Sequence, residues 1–225
     1  MLIVSDTWKA AFPAAVVGTL VMRNVANPES HAALDQRKEE LEHQLRSQFL
    51  EGGRAAIKAL PVIQAYADHF ERFKKTYPVQ LQLESVALRG KSIPRVAALV
   101  EAMFMAELSS LLLTAGHDLA TVQEPIRLDV STGSERYVML SGQEQVLKPG
   151  DMMMADAQGV ISDVIYGPDQ RTRITASTRQ VLFVVYAPAG IGAEAVRRHL
   201  GDIQACAMLI APEARAESLN VYVAG

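Results

Sequence analysis

Residues 93–118 read IPRVAALVEAMFMAELSSLLLTAGHD, and how this run divides between helix and sheet decides the fold. Val96, Leu99, Val100, Met103, Phe104, Leu108, Leu111 and Leu112 are apolar around the whole circumference of a helix, which predicts a buried one. It is expected to begin near Ser92 and Pro94 and to stop at Gly116, a common C-terminal punctuation. Arg95, Glu101 and Glu107 interrupt the run, so it is read as core and not as a membrane span.

Upstream of this run the chain is helical after one strand. Val16, Val17, Thr19, Val21 and Val25 around Gly18 predict a central strand, apolar on both faces. Asn27-Pro28-Glu29 supplies an N-cap, a first-turn proline and a first-turn acid, so a helix is expected from there to Gly52-Gly53. Its charges (Asp35, Arg37, Lys38, Glu39, Glu40, Glu42, Arg46) make a polar face opposite Leu34, Leu41, Leu45, Phe49 and Leu50. A further helix is expected from Pro61 to about Lys75.

Downstream of Gly116 come short β-prone runs: Ile126 to Val130, Arg136 to Leu140, Asp151 to Met154, Gly159 to Ile165 and Gln180 to Tyr186. Ser131–Ser134 and Lys148–Asp151 are turns. A helix over Gly192 to Leu209 and a strand over Leu219 to Val223 close the chain. Helices first and strands afterwards argue for α+β, and no linker or repeat divides residues 1–225, which are read as one domain.

With 225 residues, a net charge of −3 and 49% hydrophobic residues, the chain can bury a substantial core but cannot hold nucleic acid by bulk charge. The lone Cys206 excludes a disulfide framework and suits a reducing cytoplasm, where the protein is expected. The opening Met1-Leu2-Ile3-Val4-Ser5-Asp6 is acidic, unlike a signal peptide, and no membrane association is expected.

The five histidines form no HExxH or i,i+4 pair, no CxxC is present, and neither a metal nor a cofactor is expected. His31, His43, His69 and His199 are read as solvated helix residues. His117, in Thr114-Ala115-Gly116-His117-Asp118, is a cap, a turn former or a catalytic group. No GxSxG, Walker or GxGxxG element supports a hydrolase triad or a nucleotide fold. Met152-Met153-Met154 and Cys206 are read as core. Residues 170–179, QRTRITASTR, concentrate three arginines and four hydroxyls, which suit phosphate and sugar or form a polar loop feeding the next strand. Arg89, Lys91 and Arg95, and Lys74 with Lys75, are two more basic groups.

The order of four stretches resembles the B3/4 domain, the tRNA-editing domain of the phenylalanyl-tRNA synthetase beta subunit, which also occurs as free-standing proteins. They are Phe12-Pro13 with the strand to Arg23; Ile93-Pro94-Arg95 with Leu99-Val100-Glu101; Ala115-Gly116-His117-Asp118-Leu119 with Ile126-Arg127-Leu128; and Pro149-Gly150-Asp151, Ala155-Asp156, Gly159-Val160 and Thr172–Arg179. The resemblance implies an α+β fold with a β-sandwich-like sheet core flanked by helices. It also implies a tRNA or aminoacyl-tRNA partner and hydrolysis of mischarged aminoacyl-tRNA in the pocket. In this sequence Met103 stands where the family has its pocket threonine, Ala115 its histidine, Ala97 an asparagine and Glu101 an aspartate, while the family's glycine-rich loop shrinks to Gly167-Pro168. In an extended chain His117 points to the same side as Ala115 and is the catalytic candidate in place of the lost histidine. Met103, Ala115 and Gly116 are expected to line the pocket, Asp118 to fix the turn beside it, and Arg171, Thr172, Arg173, Thr175, Thr178 and Arg179 to contact RNA. The alternative is a non-enzymatic binder of a small amino-acid-like molecule, which keeps the fold without the editing groups.

Overall fold

The computed structural model describes residues 2–225; Met1, the first residue of the acidic opening, lies outside the described residues. Strand β1 (Leu2–Val4) and helix α1 (Asp6–Ala11) lead into the long strand β2 (Val16–Arg23). Helices α2 (Ala32–Gln48), α3 (Gly53–Lys58), α4 (Pro61–Glu71), α5 (Pro78–Ala87) and α6 (Ala98–Ser110) follow. Then come β3 (Thr114–Asp118), β4 (Ile126–Val130), β5 (Arg136–Val138), β6 (Glu144–Val146), β7 (Met152–Asp156), β8 (Gly159–Asp163), β9 (Gly167–Pro168) and β10 (Gln180–Ala187). Helix α7 (Ala193–Ile210) and strand β11 (Arg215–Val223) complete the chain. The architecture is α+β, as its pattern of elements predicts.

The strands form two main sheets and a hairpin. One sheet has the order β1-β4-β7-β8-β9, the other β11-β2-β10-β3, and β5 pairs with β6. In the second sheet, antiparallel throughout, Val184 lies opposite Ala115 and Leu182 opposite His117. The two faces of this sheet are covered differently. Gly18 of β2 meets Val196 and Leu200 of α7, whereas Tyr186 of β10 and His117 of β3 meet Ser162 of β8 in the other sheet. Covered on both sides, Val181 to Ala187 are all buried, which explains why this strand reads as continuously apolar.

The run over 93–118 divides earlier than its composition suggests. Helix α6 starts at Ala98 and ends at Ser110, and residues 114–118 are strand. At the end of the helix the hydroxyls of Ser109 and Ser110 donate back to the carbonyls of Met105 and Ala106, and Leu111 turns left-handed at φ 62°. Pairing with β10 then holds Thr114–Asp118 extended. Gly116 is therefore not a helix stop. A Cβ there would lie 2.7 Å from the terminal methyl of Ile174, so the loop after β9 approaches the strand closely at this glycine.

The helix expected from Asn27 also begins later, at Ala32, and ends at Gln48. Asn27 caps a different helix. Its Oδ1 accepts from Leu99 N at 2.9 Å, in the first turn of α6, and its Nδ2 donates to Thr175 O at 3.0 Å. One buried side chain thus ties α6 to the loop over 170–179. The polar face expected on α2 is only partly solvated. Lys38 is buried between Asp35 and Glu101, and Glu42 accepts the Ile93 amide.

Candidate functional site

A cavity of about 580 Å³ opens between α6, the strand β3 and the β8–β9 turn. Met103 and Phe104 come from the helix, Ala115 and Gly116 from the strand and Ile174 from the following loop, so most of its wall is apolar. Its mouth is apolar too, since Val96 and Leu140 both border it and each is 53% exposed. The long runs of apolar residues in α6 and β3 that bury one face in the core present the remaining positions to this space.

Two carboxyls break the apolar lining. Glu107 of α6, 3% exposed, uses Oε1 to accept the Thr114 amide at 2.8 Å and makes no ion pair among the described residues. Burial pushes its pKa up to about 8, with the Thr114 amide working in the opposite direction. Asp163, at the end of β8, accepts the Tyr166 amide on Oδ1 at 2.7 Å, while its buried Oδ2 has no hydrogen-bond partner. Burial, and then the charge of nearby Asp151, pushes the Asp163 carboxyl well up. Asp151 is itself enclosed against His69 Nε2 at 2.9 Å. The cavity thus contains acids held protonated near neutrality, and its one cationic wall residue is Arg173.

A buried hydrogen-bond chain runs from this cavity to a second, more polar one. Tyr186 lines the first cavity and its hydroxyl lies 2.6 Å from Ser162 Oγ. Ser162 contacts His117 Nε2 at 3.3 Å, and His117 Nδ1 lies 2.7 Å from Thr172 Oγ1. Thr172 donates its hydroxyl proton to Asp169. The direction follows from that last bond. With its proton given to Asp169, Thr172 Oγ1 accepts from Nδ1–H of His117; Nε2 is then the acceptor for Ser162, and Ser162 accepts from Tyr186. His117 is fully buried, and burial first, then the Arg171 charge, lowers its pKa to about 3, which keeps the ring neutral.

Asp169 lines the second cavity, about 630 Å³, together with Asp118, Arg136, Arg171, Arg173 and Thr175. Arg171 is clamped there. It makes two bonds of 2.9 Å to Asp156 and lies 3.6 Å from Asp169. Burial tends to raise the pKa of Asp156, but these bonds and the Gln123 and Gln158 amides bring it below its ordinary value. Arg173 borders both cavities.

The residues singled out from sequence therefore separate into groups. Met103, Ala115, Gly116 and Arg173 share the apolar cavity, and Asp118, Arg171, Arg173 and Thr175 share the polar one. Asp118 stabilises the turn after β3, accepting the Ala120 amide at 3.0 Å and the Thr178 hydroxyl at 2.7 Å. Thr172 and Thr178 are buried, and Arg179 bonds the carbonyls of Ala176 and Thr178 in its own loop. His117 borders neither cavity; it sits between the sheets. Two histidines read as solvated are internal: His69 pairs with Asp151, and His199 bridges Ser110 and Thr114 at 2.6 Å on each side. Their helices pack inward at those positions, which a charged neighbourhood in sequence conceals. Glu107, Asp163, Tyr186 and Asp169 were not legible as site residues. The one available signal was a lone acid inside an apolar run, as at Glu107. Among the described residues no cluster of three or more His, Cys, Asp or Glu could hold a metal, and no helix is long and apolar enough to cross a membrane.

The family model of the B3/4 domain matches residues 62–203, which runs from the start of α4 into α7 and takes in the residues that line both cavities. The phenylalanine–tRNA ligase beta subunit of Mycoplasma pneumoniae is 32% identical over 69 residues, 31% of this chain and 9% of the ligase subunit. The chain also aligns with the solved N-terminal fragment of the phenylalanyl-tRNA synthetase beta subunit from Pyrococcus horikoshii. There the TM-score is 0.46 and the identity 14%, over 92% of this chain and 47% of the fragment. The chain thus spans a small part of the ligase subunit and about half of the fragment.

Proposed function

The chain belongs to the B3/4 domain family, and on that premise we propose that it receives the aminoacyl end of a charged tRNA. The amino-acid side chain enters the apolar cavity beside Met103 and Ala115, and the terminal nucleotide lies along the polar cavity. The observation that carries this reading is Arg173, which borders both spaces and offers a cation where an aminoacyl group ends and a nucleotide begins. Thr175 and Ser177 add hydroxyls for ribose or phosphate on the same side. Support for treating residues 1–225 as one such unit comes from a core that is continuous from Trp8 to Ala224.

Hydrolysis in this cavity relies on a positioned water and the terminal ribose hydroxyl. Incubation with a panel of correctly and wrongly charged tRNAs, against a protein-free control, tests the activity. Selective loss of one amino acid supports it. No binding to any charged tRNA at low salt refutes the RNA reading, because phosphate contacts strengthen as salt falls.

A second reading has its own observation. Arg171 is neutralised by Asp156 and Asp169, and the net charge is −3, which leaves little free positive charge for RNA and favours a small amino-acid-like ligand bound without chemistry. Mass spectrometry of the denatured protein separates the two, since a co-purified metabolite supports this one. A cytoplasmic location fits both.

A further inference from the structure

We propose that Glu107, Asp163 and Tyr186 form a receptor for the positively charged primary amine of a ligand that has an apolar group and no free carboxylate beside it. This deepens the reading of the cavity as the aminoacyl site and rests on it.

Three independent features of the cavity point the same way. First, Asp163 is 1% exposed and its Oδ2 has no partner, although Oδ1 is held by the Tyr166 amide. A buried carboxyl oxygen without a donor is rare in native structures and marks a place where a donor is missing. Second, Glu107 is 3% exposed, has one oxygen on the Thr114 amide, and lacks a cation. A second buried acid without a countercharge, on the same cavity, makes the lining suited to a ligand that brings positive charge with it.

Third, the direction of the buried chain fixes what Tyr186 can offer. Asp169 takes the proton of Thr172, and each preceding group donates inward, so the Tyr186 hydroxyl proton is committed to Ser162. Its remaining lone pair accepts. Tyr186 also stands near enough to Asp163 for that charge to oppose its ionisation, which places the phenol and the carboxyl in one neighbourhood. The Asp163 carboxyl and the Tyr186 phenol in one neighbourhood, with Glu107 on the wall of the same cavity, offer acceptors to the N–H donors of an ammonium. His117 and Asp169 are positioning residues in this arrangement.

The same wall rejects a carboxylate. Among the described lining residues the one cation is Arg173, at the junction with the polar cavity. An ammonium that pairs with either carboxyl stabilises its ionised form, and the carboxylate of a free amino acid then meets like charge, whereas an amino acid joined through an ester or amide presents only its ammonium. The apolar walls and the volume of about 580 Å³ suit a hydrophobic side chain.

Calorimetry on the full chain at pH 7.5 tests this with probes that share a phenyl group: phenylalaninamide, 2-phenylethylamine, phenylalanine and 3-phenylpropanamide. The two amines without a carboxylate are expected to bind at least tenfold tighter than phenylalanine and than the amide that lacks the amine. Glu107→Gln and Asp163→Asn should each weaken the amines at least tenfold and leave 3-phenylpropanamide unchanged. Equal or tighter binding of 3-phenylpropanamide to the unaltered protein overturns the proposal, as does failure of every probe to bind. That comparison does not depend on either variant folding. Charged tRNA tests the parent reading separately. If charged tRNAs bind and N-acetylation of the aminoacyl group makes no difference, the tRNA reading stands and the amine receptor falls. If the amines bind and charged tRNAs do not, the receptor stands and the tRNA reading falls.

Discussion

Replacing Glu107 by Gln should change how stability depends on pH. The glutamine amide keeps the size of the side chain and an oxygen for the Thr114 amide, but has no proton to lose. In the unfolded chain a glutamate ionises near its ordinary value of 4.5, and in the folded protein Glu107 holds its proton to about 8. Between these values the folded state binds the additional proton, so raising the pH favours unfolding. The stability associated with the neutral acid is complete below about 4.5 and is lost progressively as pH rises to about 8. Each pH unit in that window costs about 1.36 kcal/mol. From pH 5 to pH 7.5 the wild-type protein should therefore lose roughly 3 kcal/mol relative to Glu107→Gln. With a urea slope of about 2–3 kcal/mol per molar, the two midpoints should separate by roughly 1 M over that range. The assay is urea unfolding of both proteins at the two pH values. Every other titrating group is shared, so the difference of differences reports Glu107. Parallel pH dependence in the two proteins would refute the reasoning, because it would mean that this carboxyl is already ionised, or solvated, in the fold.

Other expectations follow from the same geometry. Gly18→Ala would place a Cβ 2.4 Å from Val196 Cγ1, and the stiff valine makes relief costly, so thermal unfolding should show a loss of roughly 1–3 kcal/mol; an unchanged midpoint contradicts the packing of α7 on β2. Asn27→Ala strips partners from both the Leu99 amide and the Thr175 carbonyl, and should cost roughly 1–3 kcal/mol in chemical denaturation. Nitrogen NMR should find His117 neutral and protonated on Nδ1 at pH 5, whereas an imidazolium signal at that pH would break the assigned hydrogen-bond direction. Arg173→Ala should weaken binding of charged tRNA and reduce the magnitude of its salt slope by about 1, and an unaltered slope would remove this residue from the interface.

The functional reading is shaped by what replaces the polar groups expected of a B3/4 pocket. Met103 and Ala115 lie on the cavity wall and make it apolar at those positions. His117 does point to the same side of β3 as Ala115, but the sheet that contains β8 closes over it, and Thr172 and Ser162 occupy both ring nitrogens. The polar character of the cavity comes instead from Glu107 and Asp163, which belong to the rear of α6 and the end of β8.

The division between what was legible in the sequence and what was not has a consistent physical cause. Strands β4 and β10 and helix α7 were readable, because alternation, β-branching and helical periodicity are local and extend over most of each element. The short helices α3 and α5 carry too few residues for a period, and α6 lost its last residues to a strand whose conformation is imposed by pairing with β10. Asn27 has the residue type of a cap, yet only the folded chain decides which helix it caps. The membership of the family, the α+β class and the apolar walls at Met103 and Ala115 were determined by the sequence alone, since ordered motifs and residue size are properties of the chain. The role of Glu107, Asp163 and the chain from Tyr186 to Asp169 was decided only by tertiary structure. Burial from water and the direction of a hydrogen bond both depend on groups that lie far apart in the chain, and neither leaves a periodic trace in it.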